Sequence, residues 1–599
     1  MANHRRSLSL WCLFVLTILP RLAFSVVVVT GITAGVDVTT RKRPFRYEIN
    51  DLTQSGPAWS LFIQALQRVQ DTPRDDPTSY YQIAGIHGYP VGVWDGVDGT
   101  GVPAGYCMHN SVLFPVWHRP YLALLEQVVW QHAQSIAIQY PSQLRDQYVA
   151  AAWSLRLPYW DWTIHNLPPV VSSPIIVIDL PDGTHTVRNP LYTYVFPLNM
   201  TTSRVFPDRF EIANLQNSVR HYSMKTRQDN EEATVQTLQA SSAQRLNDVY
   251  HLLTSTTDWT TFSAYYIGLQ QNPTVNIERI HNTIHSNVGG VDTTSGHMAI
   301  TSMSAFDPIF WLHHANVDRL VAIWQVLNPD SYVEPTLAQW GTFTLSANTT
   351  VDGDTALTPF RANEMGDMWT PRTIRDTATF GYTYPEVVDW VVLPSDMKTT
   401  VQRSINALYS PSVSSRNYTS QSLRKRRLEV AQALSNVDSE TALQLGCNNV
   451  NIEWTIRISL QASLASRTDA VYLFAGPPLT AHNDWSSARN LVGSFLRPLR
   501  GDPAANDYTS RQIDIECTHV LLAAQDKGLL TSLEDHRAVL TFLQRHLTWR
   551  LTTCASSHGT GNLVSGMDIT VLSRDVAQRL TPYDFPVYGA YQVHTSLAM

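Results

Sequence analysis

The sequence predicts two domains, a large and mainly α-helical domain followed by a smaller, β-rich C-terminal domain. The first part is rich in Trp, Tyr and His, and apolar residues such as Leu122, Leu125 and Val129 recur with the spacing of an amphipathic helix. The last part instead contains stretches typical of strands, for example residues 451–458 and 470–474. With 599 residues, the chain is long enough to bury a core in each domain.

Composition places the chain among folded proteins and disfavours binding to polyanions. Hydrophobic residues make up 44% of the chain and charged residues 16%, which excludes a disordered protein. The formal net charge of -7 provides no overall positive field to hold nucleic acid or an anionic membrane. The 20 histidines stand out, because imidazole is the commonest ligand of transition metals in proteins.

Residues 1–25 have the pattern of a secretory signal peptide. Basic residues at positions 4–6 precede an apolar run over positions 8–19, and the small residues Ala23 and Ser25 mark a cleavage site. An uncleaved anchor is the alternative, but this run is shorter than the roughly 20 residues needed to cross a bilayer. We therefore expect a secreted or cell-wall-associated protein without stable membrane insertion.

Two further features bear on a secreted protein. Sequons for N-glycosylation begin at Asn199, Asn348 and Asn417, although such triplets also occur by chance. Of the five cysteines, Cys12 lies in the signal segment, and the others are too sparse for a disulfide framework in so long a chain. The hydrophobic core must therefore hold the fold.

Changes in composition divide the rest of the chain into three parts. Residues 26–390 form the helical, histidine-rich domain, residues 391–430 a polar linker, and residues 431–599 the β-rich domain, with some helix near Leu529–Leu551. The linker contains the basic run Arg424–Arg427. This run is either a solvated surface or a dibasic cleavage site for a processing protease.

A first group of histidines lies in the second half of the helical domain. His281 and His285 are four residues apart, so that on a helix both imidazoles lie on one face and can bind one metal ion. This spacing alone is a weak signal. A third candidate follows in the pair His313 and His314. Three imidazoles make one plausible copper site.

A second group lies upstream and contains His87, His109 and His118. No array of carboxylates or thiolates surrounds either group, which favours a borderline metal over calcium, magnesium or structural zinc. Any one of these residues could be an ordinary core histidine. For all six at once that interpretation is improbable.

With these motifs the sequence resembles the fungal tyrosinases of the type-3 copper family, from about Tyr47 to Tyr384. The resemblance implies a four-helix bundle that holds a binuclear copper site in a catalytic domain, with O2 as co-substrate. It also implies the ligands, which are His87, His109 and His118 for copper A and His281, His285 and His314 for copper B, with His313 unliganded.

Other residues match the motifs of this family. Cys107 stands two residues before His109, where the family commonly has a thioether bond between the two side chains; a small buried thiol is the alternative. Phe310 stands where the family has an aromatic residue over the second copper, either as packing or as a gate. Segments 158–162 and 382–384 resemble aromatic motifs of the catalytic domain.

The choice of substrate depends on how the first proton leaves. A catechol needs only oxidation, whereas a monophenol with a pKa near 10 must first lose its proton. In tyrosinases a carboxylate and an asparagine near the first ligand of the second copper are proposed to hold a water as the base. Glu278 and Asn282 stand at these two positions. The alternative is a solvated helical Glu and a polar loop Asn.

Asp318 and Arg319, shortly after His314, could support the second copper site as a buried ion pair. A surface ion pair explains them nearly as well. The sequence alone leaves both interpretations open.

The C-terminal domain resembles the lid domain of latent fungal tyrosinases, which places a side chain over the copper pair until proteolysis removes the domain. Phe474 is the candidate plug, and a phenylalanine in the core of a strand is the alternative. Cleavage near Arg427 would then activate the enzyme.

The predicted function is that of a secreted, latent copper phenol oxidase. The resemblance implies hydroxylation of monophenols to o-diphenols and oxidation of o-diphenols to o-quinones with O2, the chemistry of melanin biosynthesis. The alternatives are a catechol or o-aminophenol oxidase without monophenolase activity and, in a different class, a hemocyanin-like O2 carrier. The expected partners are small phenolic substrates, O2 and a processing protease, without nucleic acid.

Overall fold

The structure is a computed structural model that describes most of the chain after residue 25. The described residues are 26–99, 104–197, 211–267, 270–272, 274–291, 294–410, 452–465, 468–478, 482–496, 511–553, 556–558, 565–577, 581 and 583–596. The predicted signal peptide, the basic run at 424–427 and the sequons at Asn199 and Asn417 lie outside these residues. Within the described ranges, no helix is long and apolar enough to cross a membrane.

Helices dominate the N-terminal domain. In chain order they are α1 (Ile49–Leu52), α2 (Pro57–Asp71), α3 (Tyr80–Gly85), α4 (Phe114–Ala137), α5 (Ser142–Trp153), α6 (Glu231–Ala240), α7 (Ser242–Ser255), α8 (Trp259–Ser263), α9 (Ile277–Gly289), α10 (Ile309–Leu327) and α11 (Pro394–Tyr409). The C-terminal domain adds α12 (Ala462–Ala465), α13 (Thr518–Asp526) and α14 (His536–His546).

Strands form small hairpins in the N-terminal domain and two larger sheets in the C-terminal domain. The hairpins pair β1 (Ile175–Leu180) with β2 (Gly183–Arg188), β3 (Tyr222–Ser223) with β4 (Gln228–Asp229), β5 (Tyr266–Ile267) with β6 (Gln270–Gln271), and β7 (Thr336–Ala338) with β8 (Thr349–Val351). The other strands are β9 (Ile452–Leu460), β10 (Thr468–Ala475), β11 (Leu491–Leu496), β12 (Arg511–Glu516), β13 (Leu547–Thr553), β14 (Ser556–His558), β15 (Met567–Ala577), β16 (Val587–Tyr588) and β17 (Gln592–Ser596).

The two C-terminal sheets are antiparallel and enclose a second core. One sheet has the order β11-β10-β13-β14, and the other has the order β12-β9-β15-β16, with β17 also paired to β15. Apolar side chains such as Trp454, Val471 and Ile569 fill the space between them. The structure thus confirms the predicted β-rich domain, and β9 and β10 confirm the two predicted strands.

The predicted helix near residues 529–551 is only partly correct. The helix α14 ends at His546, and the chain continues directly as β13. From Leu547 onward, Trp549 and Leu551 are buried, which is the period of a strand rather than of a helix. The change of period within one apolar stretch explains the error.

The core of the N-terminal domain is a helix bundle. The long helices α4 and α10 pack against each other, α9 packs against both, and α7 packs against α9 and α10. The helix α4 contains Leu122, Leu125 and Val129, and it is buried on almost every side. This arrangement confirms the mainly helical domain with a four-helix bundle at its centre.

The helix α11 corrects the predicted domain boundary. The composition predicts a linker over residues 391–430, but residues 394–409 form a helix whose side chains Met397, Val401 and Ile405 are buried in the N-terminal core. These three residues are four positions apart, so they form one face of a helix. Because most residues of the segment are polar, its composition alone does not reveal this apolar stripe.

Asp318 and Arg319 are both buried, but they do not form the predicted pair with each other. Consecutive residues on a helix point about 100° apart, so the two side chains on α10 reach different partners. Arg319 donates to Glu386 at 2.5 Å and to Asp161 at 3.3 Å, while the hydroxyl of Tyr409 lies 2.7 Å from its guanidinium. Both interpretations from the sequence are therefore wrong in detail.

Asp318 is the centre of a separate buried network. Its carboxylate accepts from Arg119 at 2.7 Å, from Arg46 at 3.2 Å, and from the hydroxyls of Tyr382 and Tyr384 at 2.6 and 2.7 Å. Burial acts to raise the pKa of Asp318, but the two arginines and two hydroxyls outweigh it and lower the pKa. The network ties α10 to α4 and to the segment around residue 383.

We predict that Asp318→Asn destabilises the protein strongly. The substitution leaves the buried guanidinium of Arg119 without its anion, while Arg46 keeps its ion pair with Glu126. Removing one partner of such a buried ion pair typically costs about 3–5 kcal/mol. Asp354→Asn is the matched control, because Asp354 pairs with Arg372 at 2.7 Å on the exposed surface. Urea unfolding followed by tryptophan fluorescence should show a large shift in midpoint for the first variant and almost none for the second. Equal midpoints for the two variants would contradict this account.

Candidate metal centre

Three helices and two loops carry the six predicted histidine ligands. We call His87, His109 and His118 trio A, and His281, His285 and His314 trio B. In trio A, His118 lies on α4, His87 follows α3, and His109 lies in the loop before α4. In trio B, His281 and His285 lie one turn apart on α9, and His314 lies on α10. The structure therefore brings all six together from distant parts of the chain.

The local sequence explains where α9 begins and ends. The Asn276 side chain caps the first turn by accepting a hydrogen bond from the N–H of Arg279. At the other end Gly290 adopts a positive φ of 84°, which other residues rarely tolerate. The helix between them is buried on all faces. Its position is thus determined at both ends.

The imidazoles of trio B converge through one ring nitrogen each. The Nε2 atom of His314 lies 3.2 Å from Nε2 of His281 and 3.4 Å from Nε2 of His285. Three neutral imidazoles that meet in this way direct their lone pairs at a common point. A cation at that point would stabilise the arrangement. The donor set therefore fits a transition-metal ion.

Hydrogen bonds to oxygen atoms leave Nε2 of four ligands without a proton. Nδ1–H groups donate to backbone carbonyls from His87, His118 and His285, at 2.8, 2.8 and 2.7 Å. Nδ1 of His281 lies 3.0 Å from the side-chain oxygen of Asn282. A ring nitrogen that faces an oxygen acceptor must carry the hydrogen, so the other nitrogen keeps its lone pair for a metal.

Burial keeps these imidazoles neutral. It lowers the pKa of His118 to about 3 and that of His285 to about 4. Burial, together with the neighbouring rings, also holds the pKa of His87, His281 and His314 well below the usual value. All are therefore unprotonated at neutral pH. A neutral imidazole is the form that binds copper.

In trio A, His109 is the half-buried member and lies near a cysteine. The ring centroid of His109 is 5.1 Å from that of His87 and 5.9 Å from that of His118. The sulfur of Cys107 lies 3.7 Å from Nε2 of His109 and 3.4 Å from Nε2 of His118. Cys107 is a free thiol in the structure, and burial raises its pKa. The predicted thioether bond stays a prediction.

The two trios contact each other directly, and aromatic side chains flank this contact. The rings of His118 and His314 stack at 4.2 Å, and the rings of His109 and His281 are 6.0 Å apart. Phe310 lies against His314 at 4.0 Å and also contacts His87 at 4.9 Å. The predicted aromatic residue is therefore in contact with both trios.

Phe114 is a further aromatic contact, which the sequence motifs do not predict. Its ring lies 4.9 Å from that of His118 and 4.6 Å from that of His281, so it also bridges the trios. Phe114 stands four residues before His118, just as Phe310 stands four residues before His314. The repeated spacing is the signal that could have identified it.

Glu278 is buried and bonded, not solvated. One carboxylate oxygen accepts from the backbone N–H of Asn110 at 2.6 Å, and the other accepts from that of Tyr265 at 2.8 Å. Asn110 directly follows His109 and has a positive φ of 55°. Glu278 therefore ties the loop of trio A to the helix of trio B, in addition to any role in catalysis. Neither backbone partner could be found from a motif, because both lie in irregular loops.

The C-terminal domain contacts the bundle beside trio B. Gln244 of α7 exchanges two hydrogen bonds with the backbone of Ser494, at 3.0 and 3.1 Å. Arg279, on the helix that carries His281, donates to the carbonyl of Asp514 at 2.6 Å. The C-terminal domain is thus bound directly to the elements that position the site.

Phe474 lies at this boundary, inside a small apolar cluster. It is buried with residues of the C-terminal domain, and Ala240 and Val291 of the N-terminal domain pack against the cluster. Among the described residues, its aromatic neighbour is Tyr472 at 6.4 Å and not a histidine of either trio. Its predicted role as a plug stays a prediction.

Comparison with known protein families supports the interpretation of the two histidine trios as a metal centre. Residues 77–327 match the model of the common central domain of tyrosinase, and residues 453–571 match that of the tyrosinase C-terminal domain. A tyrosinase of Podospora anserina is 33% identical over 78% of this chain and 88% of its own length. A tyrosinase of Neurospora crassa is 36% identical over 62% of this chain and 56% of its own length.

A solved structure is similar along almost the whole chain. The structure of latent and active mushroom tyrosinase is 25% identical to this chain, covers 95% of it and 98% of its own chain, and superposes with a TM-score of 0.75. The similarity includes both domains.

Proposed function

Since the chain belongs to the tyrosinase family of copper enzymes, we propose that it hydroxylates monophenols to o-diphenols and oxidises o-diphenols to o-quinones with O2. The observation that carries this proposal is the meeting of two histidine trios, five of whose six members are buried and neutral, with Phe114 and Phe310 each in contact with both trios. We assign trio A to copper A and trio B to copper B. When bound, the two coppers supply the two electrons that O2 takes up.

The protein contributes orientation and a dry environment. The Nδ1 hydrogen bonds hold the rings of the ligands in place, which would otherwise rotate. Phe114 and Phe310 surround the histidines with apolar surface, which excludes water and gives a planar phenol a face to pack against. His109 is the ligand that is partly exposed, so we place the approach of the substrate on its side.

Copper content and substrate use test this proposal together. We expect two coppers per chain, and oxidation of both tyrosine and dopa after limited proteolysis between the domains. Metal analysis and oxygen uptake before and after proteolysis measure both. Oxidation of dopa or o-aminophenol without tyrosine after full activation would favour a catechol or o-aminophenol oxidase. Reversible O2 binding without any oxidation of catechol would favour an O2 carrier.

For the monophenol reaction we assign the proton-accepting site to a water held by Glu278 and Asn282. Glu278 stands one helical turn before His281, and its buried carboxylate has acceptor capacity beyond its two backbone bonds. The oxygen of Asn282 faces His281, so its amide N–H groups are the ones that can hold a water. Such a water would act as a general base.

Glu278→Gln tests this assignment. If the carboxylate assists proton removal, turnover of tyrosine should fall by about 100-fold, while turnover of dopa should change far less. Glu278 also anchors the loop of His109. If that were its only role, the substitution would lower both activities equally and reduce the copper content. Steady-state rates on both substrates, normalised to bound copper, distinguish the two roles.

We further propose that the enzyme is secreted in a latent form. The C-terminal domain binds the bundle through Gln244 and Arg279, and its Phe474 cluster packs beside the end of α9. This proposal also includes removal of the signal segment, a thioether between Cys107 and His109, and cleavage in the linker near Arg427. The described sequon at Asn348 is exposed, as glycosylation requires.

Two substitutions test latency. Gln244→Ala removes both bonds to Ser494 and should raise the dopa oxidation rate of the uncut chain, because it weakens docking without touching either trio. Phe474→Ala should do the same if Phe474 is the plug. Phe542→Ala, within the C-terminal domain, is the control for general destabilisation. Activation by all three variants alike would mean that loss of stability, not loss of a specific contact, causes the effect.

A further inference from the structure

A fourth imidazole lies beside trio B. The ligand atoms of His281, His285, His313 and His314 all lie within 4.8 Å of one another. The ring of His313 stacks on that of His281 at 5.0 Å with an angle of 15°, and it meets the ring of His285 edge-on at 4.9 Å. His313 therefore belongs to the same cluster as the three expected ligands.

His313 is buried without a hydrogen bond. Its side chain is fully buried, and neither ring nitrogen has a partner among the residues that the structure describes. Burial of a polar group without a partner costs free energy, so such groups are rare in folded proteins. A metal ion would satisfy one of these nitrogens.

Two possible donors, Trp162 and Asn316, do not bond to His313 in the structure. The ring of Trp162 lies 5.9 Å from that of His313, and Asn316 lies one turn further along α10. Among the described residues, the Nε1–H of Trp162 and the side-chain nitrogen of Asn316 are both buried without a partner. Both groups can only donate, so they could satisfy only the acceptor nitrogen of the imidazole, which is the nitrogen that a metal would bind. Since neither of them does so, this nitrogen stays available to a metal ion.

We propose that His313 is an auxiliary nitrogen ligand of copper B. It binds the ion when one of the other three imidazoles turns away, and so it slows the loss of copper from this site. Neutral imidazole suits this role, since nitrogen ligands bind copper strongly in either oxidation state. The inference rests on the proposed function in that the metal is copper.

Release of copper to an excess of a Cu(I) chelator, under anaerobic reducing conditions, tests this role on the full chain. The wild-type protein should release two coppers. In both His313→Phe and His313→Gln, one of the two should leave at least about tenfold faster, and the other should be unaffected. His297→Phe is the matched control, because Nε2 of His297 is also buried without a partner among the described residues, and His297 lies outside both histidine clusters.

The two substitutions separate ligation from packing. Phenylalanine keeps the ring that stacks on His281, whereas glutamine keeps polarity and loses the ring. Fast release in the glutamine variant alone would show that the ring only packs, and wild-type release in both variants would show that other groups satisfy the nitrogens. Either result overturns the inference.

The melting temperature gives a second, independent readout. Without copper, His313→Phe should melt no lower than the wild type, since it removes polar atoms that lack partners. On copper loading, its melting temperature should rise less than that of the wild type. A lower melting temperature without copper would overturn the inference. A wild-type chain that binds no copper would instead overturn the proposed function, and with it the assignment of His313.

Discussion

The requirement that governs this structure is to aim six imidazoles at a shared space, with five of them buried and neutral. A buried imidazole must satisfy one nitrogen while leaving the other free for a metal. The chain meets this requirement for four of the six ligands, with backbone carbonyls for His87, His118 and His285 and with a side-chain amide oxygen for His281. Nδ1 of His314 has no partner among the described residues. These acceptors come from loops and helix turns that must themselves be held rigid.

Buried charges supply that rigidity around α10. Asp318 lies one turn after His314 and is held by Arg46 and Arg119, while Arg319 points to a different face of the helix and binds Asp161 and Glu386. Two consecutive residues thus anchor the helix in two directions. A buried ion pair is not by itself strongly stabilising, but removal of one partner is costly, so these contacts favour one position of the helix over others.

The sequence was most informative where a period or a spacing carries the information. The four-residue spacing of His281 and His285 places both on one face of a helix, and the alternating pattern of β9 predicts a buried strand. It was least informative where the partner lies in an irregular loop, as with the backbone of Asn110 under Glu278. At α11 the composition led to a wrong prediction of a linker, because the apolar stripe lies among polar residues. At Asp318 and Arg319 adjacency led to a wrong prediction of an ion pair, because the two side chains lie on different faces of a helix.

Trio A and trio B should each hold one copper ion. Anomalous X-ray diffraction from crystals of the copper-loaded full chain, collected on both sides of the copper absorption edge, locates the metal. We expect two anomalous peaks, one among His87, His109 and His118 and one among His281, His285 and His314. A single peak, or a peak outside both trios, would show that the two trios do not form a pair of copper sites.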